Sequence, residues 1–162
     1  MKRVFAVALL ALSLGAAAYG QTVQARSAQA VQNDKALAFA MLAECEKVLG
    51  RDGKGFDELV KLVNAVDPRF NKGLVYVTVG GFDGTMFAHP VPALQGLKFP
   101  LDLPDADGRP MQMVSTAKDK GRGEIEYRFN DSAIKKVVRK WAIVSKIPAR
   151  DAYISISVNL EE

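Results

Sequence analysis

The spacing of apolar side chains divides the sequence into a helical first part and a β-rich second part. Residues 27–49 contain no Gly or Pro, and their apolar side chains recur every three to four residues, which predicts a long amphipathic helix. The glycines within residues 50–55 end this helix. A similar apolar spacing over residues 56–66 predicts a second, shorter helix, which ends at Asp67-Pro68.

The second part alternates between β-rich stretches and turns. Residues 74–79 and 85–88 predict a hairpin around a glycine-rich turn. A long connection follows over residues 89–110 and holds five of the seven prolines. Beyond it, the pattern predicts a short helix over residues 111–118 and three further strands over residues 124–129, 135–146 and 153–160.

The last predicted strand has two different faces. Ile154, Ile156, Val158 and Leu160 point one way, whereas Tyr153, Ser155, Ser157 and Asn159 point the other way. Helices followed by about five antiparallel strands predict an α+β fold, in which the helices pack on the apolar face of one sheet. A half-polar face beneath a long connection is a usual place for a small molecule to bind.

The first 20 residues have the pattern of a secretory signal peptide. Lys2 and Arg3 precede an apolar run over residues 4–18, which is shorter than the ~20 residues that span a bilayer. Cleavage after Gly20 would leave residues 21–162 as one mature domain, periplasmic or secreted. Cleavage after Ala25 and an uncleaved membrane anchor are the alternatives. The sequence contains no later apolar stretch long enough to span a membrane.

Composition narrows the class of protein. The chain has 162 residues and a formal charge of +4. Without Lys2 and Arg3, 20 basic residues face 18 acidic ones, and the remaining charge of +2 is too small to indicate a nucleic-acid partner. The only cysteine, Cys45, is predicted to be buried, and His89 is the only histidine. Because no nucleophile–base set, metal cluster or cofactor loop is evident, we expect neither an enzyme nor a bound cofactor.

Four stretches, in order, resemble the single Cache domain, a PAS-like extracellular sensor module. Residues 75–90 resemble the family's strand, Asp-Gly turn, second strand and His-Pro pair, and residues 101–110 resemble its Asp-rich turn with Gly. Residues 121–129 resemble its Gly followed by a Tyr-x-aromatic strand. Residues 140–158 resemble its Lys-bearing strand, Pro turn and last strand that begins with an aromatic residue.

The resemblance implies a long N-terminal helix behind a five-stranded antiparallel sheet and a pocket on the other face. In this family the pocket usually takes small organic acids or similar metabolites, and members feed chemoreceptors, histidine kinases or cyclases. Because the sequence ends just after the last strand, we expect a free-standing secreted member. Its candidate partners are a small organic acid and a membrane sensor kinase or chemoreceptor. Ile143 and Tyr153 depart from the family pattern, which commonly has Tyr and Trp there.

The resemblance also nominates ligand-binding residues. Lys140 matches the family's strand lysine and would pair with a carboxylate, although it could instead be a solvated strand lysine. Tyr127 would donate a hydrogen bond or pack in the core, and Phe129 would form a pocket wall or belong to the core. His89 would donate a hydrogen bond to an anion or fix the start of the connection. Arg128 alternates away from Tyr127 and should point elsewhere.

Two further features have plainer interpretations. Asp105, Asp107 and Gly108 resemble part of a calcium loop, but the closing Glu is missing, so a solvated turn is expected. Trp141 should lie in the core. The leading hypothesis is a periplasmic sensor module that binds a small organic anion and contributes to signal transduction. The alternative is a docking module without a ligand, in which Phe99, Phe129 and Ile143 would fill the concave face.

Overall fold

The computed structural model describes residues 26–101, 103–131 and 136–161. The predicted signal peptide of residues 1–20 lies outside this part of the chain. The helices are α1 (Ala28–Leu49), α2 (Phe56–Asn64) and α3 (Met113–Lys120), and a short 3₁₀ turn spans Pro92–Leu94. The strands are β1 (Asn71–Lys72), β2 (Val75–Gly81), β3 (Met86–Ala88), β4 (Arg122–Asp131), β5 (Lys136–Lys146) and β6 (Ala152–Asn159).

Helix α1 begins and ends at residues suited to those positions. The Ser27 hydroxyl accepts a hydrogen bond from the backbone N–H of Ala30 at 3.2 Å, which satisfies one donor of the first turn. Gly50 follows the last turn with a φ of +67°, a conformation that favours glycine. Cys45 is buried on the inner face of the helix, as predicted. Burial raises the pKa of its thiol to about 12, so the thiol stays protonated.

The strands form one antiparallel sheet in the order β1-β2-β6-β5-β4, and β3 also pairs with β2. The sequence predicted five strands, and the structure adds β1, which has two residues and is too short to show a hydrophobic period. The register pairs Tyr127 with Lys140 between β4 and β5. It pairs Tyr76 with Ser157 between β2 and β6. Side chains from the four longest strands therefore meet on one face of the sheet.

The opposite face of the sheet carries the main core. Ile154, Ile156 and Val158 pack there with the buried side of α1 and α2, as the alternation in β6 predicted. Full burial of such a side chain stabilises the fold by about 1.5–3 kcal/mol. Trp141 lies in this core as predicted. Ile143 lies there too, so the suggestion that it fills the concave face is wrong: along β5 it alternates with the residues that face the cavity.

The long connection covers the concave face of the sheet. We call residues 89–112, apart from Asp102, the cover segment. Backbone hydrogen bonds hold it to the β2–β3 hairpin, from the Met86 N–H to the Leu97 carbonyl at 2.8 Å, from the Gly96 N–H to the Met86 carbonyl at 2.7 Å, and from the Phe99 N–H to the Gly84 carbonyl at 2.9 Å. Another holds it to β4, from the Ala106 N–H to the Arg128 carbonyl at 2.7 Å. The segment is thus attached to both the β2–β3 hairpin and the edge strand β4.

No helix in the described part of the chain is long and apolar enough to cross a membrane.

Candidate ligand-binding site

A cavity of about 220 Å³ lies between the concave face of the sheet and the cover segment. The sheet supplies most of the polar lining, and the cover segment with the start of α3 supplies most of the apolar lining. The sheet residues are Tyr76, Thr78, Met86, Tyr127, Phe129, Lys140, Tyr153, Ser155 and Ser157. The others are Gly84, Thr85, His89, Leu94, Phe99, Pro100, Leu101, Leu103, Met111, Gln112, Met113 and Val114.

Lys140 lies on β5 with its side chain in the cavity lining. The residue is only 4% exposed, so it is not a solvated strand lysine. Its ammonium nitrogen lies 4.7 Å from the centre of the Phe129 ring and 5.8 Å from the centre of the Tyr76 ring, within reach of cation–π attraction. Among the described lining residues, Lys140 is the only Lys or Arg, and none is Asp or Glu.

His89 is held by hydrogen bonds at its backbone and at one ring nitrogen. Its backbone N–H donates to the Asn64 side-chain oxygen at 3.0 Å, and its Nδ1 accepts from the Val91 N–H at 2.9 Å. In the neutral ring the proton is therefore on Nε2, which makes that nitrogen a donor. Burial, and secondarily the charge of Lys140, lower the pKa of His89. The residue fixes the start of the connection and also lines the cavity.

Tyr127 is buried on β4, and its hydroxyl lies 3.0 Å from the Ser157 hydroxyl on β6. Burial raises the pKa of Tyr127 well above its usual value, so the phenol stays neutral. Phe129 stands beside it, with the two ring centres 6.5 Å apart in an edge-on arrangement. Both side chains line the cavity, together with Lys140 and His89. The structure therefore brings all four predicted residues to one site.

The site contains polar residues that the sequence analysis did not nominate. Ser155 is 1% exposed, and its hydroxyl oxygen is buried without a hydrogen-bond partner in the described structure. A buried polar group left unpaired costs about 1–3 kcal/mol. Ser157 and Tyr76 also line the cavity. The alternation of β6 placed both serines on the polar face, but no sequence signal distinguished them from solvent-facing serines.

Residues outside the cavity have structural roles. Arg128 points away from Tyr127, as predicted, and its guanidinium pairs with the Asp107 carboxylate at 2.9 Å. One Asp105 oxygen accepts from the backbone N–H groups of Asp107 and Arg109, each at 2.9 Å, which is the arrangement of a turn. Within the described ranges, no group of three or more His, Cys, Asp or Glu residues could hold a metal ion.

An antiparallel sheet with helices on one face and a covered cavity on the other is the architecture of a PAS-like sensor domain. Residues 57–162 match the family described as single Cache domain 2. The chain therefore belongs to the single Cache domain 2 family, and the resemblance noted from its sequence is confirmed. Cache domains are extracellular or periplasmic sensor modules rather than catalytic domains.

Solved structures share this fold. A periplasmic sensor domain of a chemotaxis protein matches with a TM-score of 0.55 and 17% identity, covering 82% of this chain and 91% of that one. A Cache chemosensory domain, titled for carboxylic acid recognition, matches with a TM-score of 0.54 and 18% identity, covering 82% and 89%. A methyl-accepting chemotaxis protein from Vibrio parahaemolyticus RIMD 2210633 matches with a TM-score of 0.61 and 13% identity, covering 81% and 91%. No curated protein matches the sequence.

Proposed function

We propose that this protein is a periplasmic or secreted sensor module that binds a small organic anion non-covalently and contributes to signal transduction. The observation that carries the proposal is that the buried Lys140 lines a covered cavity together with the His89 ring and the Ser155 hydroxyl. A positive charge in a covered cavity favours an anionic ligand there.

The neighbouring polar groups suit a carboxylate. The ammonium of Lys140 would act as a point charge for one oxygen, and the neutral His89 ring would donate from Nε2. The unpaired hydroxyl of Ser155 would gain a partner on binding, which removes the cost of leaving it buried and unsatisfied. The fold likeness to a Cache domain titled for carboxylic acid recognition supports the same ligand class.

The signalling part of the proposal rests on the cover segment and on the family. A ligand that binds one arrangement of the cover segment better than another would shift the population towards that arrangement. A membrane sensor kinase or chemoreceptor would then bind the changed surface, and these are the partners that we propose. No catalytic step is part of this function.

A thermal-shift screen tests the proposal. The purified protein is heated in the presence of organic acids, amino acids and amines of similar size. A true ligand at 100 times its Kd adds ~2.7 kcal/mol of stability, which is about 8 °C for a chain of this length. We expect shifts with organic acids and none with amines. If no acid shifts the melting temperature, the protein is not a sensor of organic anions.

A further inference from the structure

We infer that Met111 and Met113, at the junction of the cover segment and α3, form a site of reversible oxidation by hydroperoxides. Conversion of their thioethers to sulfoxides loosens this junction and so alters the cover segment. The inference goes beyond the proposed function and does not depend on which ligand the cavity takes. Three observations carry it: the exposure of the two side chains, the cluster on which they pack, and the strained residue between them.

The methionines of the chain differ in their access to solvent. The sequence contains five of them, and all but Met1 lie in the described part of the chain. Met41 is 2% exposed and belongs to the main core. Met86, Met111 and Met113 are half-buried and line the cavity. A small oxidant can therefore reach these three thioethers in the folded protein, whereas Met41 reacts only when the core opens.

Met111 and Met113 pack against a second cluster of buried side chains, separate from the main core. Most members of this cluster are apolar: they are Phe82, Ala117, Ile125, Tyr127, Ala142, Val144 and Tyr153. Among the described residues, Met86 belongs to neither this cluster nor the main core. The apolar contacts of Met111 and Met113 therefore hold the junction to the sheet, and Met86 has no such role.

The residue between the two methionines has a strained backbone. Gln112 has a φ of +61°, in the left-handed region that costs free energy for residues other than Gly. Its carbonyl accepts a hydrogen bond from the Thr116 N–H at 2.9 Å, and the Met111 N–H donates to the Leu103 carbonyl at 3.2 Å. Strained conformations persist only where the surrounding structure holds them. The packed side chains of the two flanking methionines anchor Gln112 from both sides.

The reaction is a two-electron oxidation of each thioether. A sulfur lone pair attacks one oxygen of hydrogen peroxide, the O–O bond breaks, and the transferred oxygen loses its proton to the departing hydroxide. The products are a methionine sulfoxide and water, so sulfur is oxidised and peroxide is reduced. Methionine sulfoxide reductases, one for each epimer, reverse the change. A polar sulfoxide oxygen among apolar neighbours costs free energy, so oxidation weakens both anchors of Gln112.

Controlled oxidation followed by mass spectrometry tests the site. The purified protein is treated with hydrogen peroxide for increasing times and quenched with catalase, and each methionine is then assigned by tandem mass spectrometry. Sulfoxide should form at Met111 and Met113 about tenfold or more faster than at Met41, because Met41 reacts only in opened molecules. Equal rates at Met41 and at the two junction methionines would overturn the inference.

Thermal melting of the same samples measures the consequence of oxidation. We expect the melting temperature to fall by about 3–8 °C when both methionines are oxidised, and to recover after treatment with both reductases. In the double variant Met111→Leu/Met113→Leu, leucine keeps a similar volume and has no thioether. The same treatment should therefore lower its melting temperature by less than about 1 °C.

Met86→Leu is the matched control for these melting experiments. Met86 lines the same cavity but belongs to neither cluster, so this variant should lose as much stability on oxidation as the unmodified protein. A constant melting temperature after oxidation of both junction methionines overturns the inference, as does an equal fall in the double variant. If the double variant does not fold, Met111→Leu and Met113→Leu are tested separately, and a full fall in both has the same meaning.

Amide hydrogen exchange separates loosening of the junction from general destabilisation. In the oxidised protein the Thr116 N–H, which donates to the Gln112 carbonyl, should exchange faster. The Met86 N–H, which donates to the Leu97 carbonyl at 2.8 Å, should exchange at an unchanged rate, because this hydrogen bond lies at the β2–β3 hairpin. Equal acceleration of exchange at the two amides would overturn the inference.

Discussion

Replacement of Lys140 by methionine tests the central electrostatic claim. Methionine keeps a long unbranched side chain of similar shape but removes the positive charge. The surrounding rings of Phe129 and Tyr76, which lie 4.7 and 5.8 Å from the ammonium nitrogen, can pack against a thioether equally well. The substitution therefore removes the charge while leaving the cavity close to its original volume.

The expected loss follows from the cost of removing one charged partner. A hydrogen bond to a charged group contributes about 2 kcal/mol, and its loss weakens binding about 30-fold. At 100 times the original Kd, the unmodified protein gains ~2.7 kcal/mol from its ligand, or about 8 °C. The variant at the same ligand concentration gains only ~0.9 kcal/mol, or about 2–3 °C.

The assay is a ligand titration followed by thermal melting, in which each variant is compared with its own ligand-free form. This comparison separates loss of affinity from any change in the stability of the empty protein. Lys54→Met is the matched control, because the Lys54 side chain is 87% exposed and does not line the cavity. Full affinity for the carboxylate in Lys140→Met would refute the assignment of Lys140 as the ligand's charge partner.

Three other substitutions test the surroundings of the cavity. Gly84→Ala places a Cβ 2.0 Å from the Phe99 carbonyl oxygen, so it should lower the free energy of unfolding in urea more than Gly73→Ala does. Gly73 has a similar φ but open space where the Cβ would lie, and its substitution should cost about 1–2 kcal/mol. Tyr127→Phe removes a buried hydrogen bond and should lower the free energy of unfolding by about 1 kcal/mol. Its carboxylate affinity should fall less than that of Lys140→Met. An equal loss of affinity in the two variants would contradict the roles assigned to these residues. The pKa of His89 is lowered in the folded state, so stability should fall as the pH drops below about 6.5, because the unfolded chain binds the proton first. His89→Gln should make the melting temperature fall less steeply with decreasing pH. An unchanged slope of melting temperature against pH would contradict this role of His89.

Local sequence patterns were sufficient to predict most of the fold. The helices and the five longer strands lie within two residues of their predicted bounds. The reason is physical. Helix α1 presents one apolar face between a serine cap and Gly50. Strand β6 alternates so regularly that a shift of one residue would move Ile154 and Ile156 from the main core to the cavity face. The strand β1 was not predicted, since its pairing with β2 depends on the surrounding chain and not on two residues of sequence.

The candidate site was only partly accessible from the sequence. Lys140, Tyr127, Phe129 and His89 were nominated through a family resemblance, and they do meet at one cavity. Their burial, the hydrogen bond from the His89 N–H to the Asn64 side chain, and the unpaired Ser155 hydroxyl depend on contacts between distant segments. The volume of the cavity likewise depends on how the cover segment lies over the sheet. None of these properties has a local sequence signal, because side chains brought together by folding determine them.

Two adjacent residues of strand β5, Lys140 and Trp141, link the cavity to helix α1. Lys140 faces the cavity, and the next residue, Trp141, faces the core. On that side the Trp141 ring lies 5.8 Å from the ring of Phe39 on α1, and the ammonium of Lys35, also on α1, lies 4.7 Å from its centre. Densely packed interiors transmit small displacements. A change in the position of β5 on ligand binding would therefore reach α1 through one packed aromatic side chain, and the signalling part of the proposed function requires a connection of this kind.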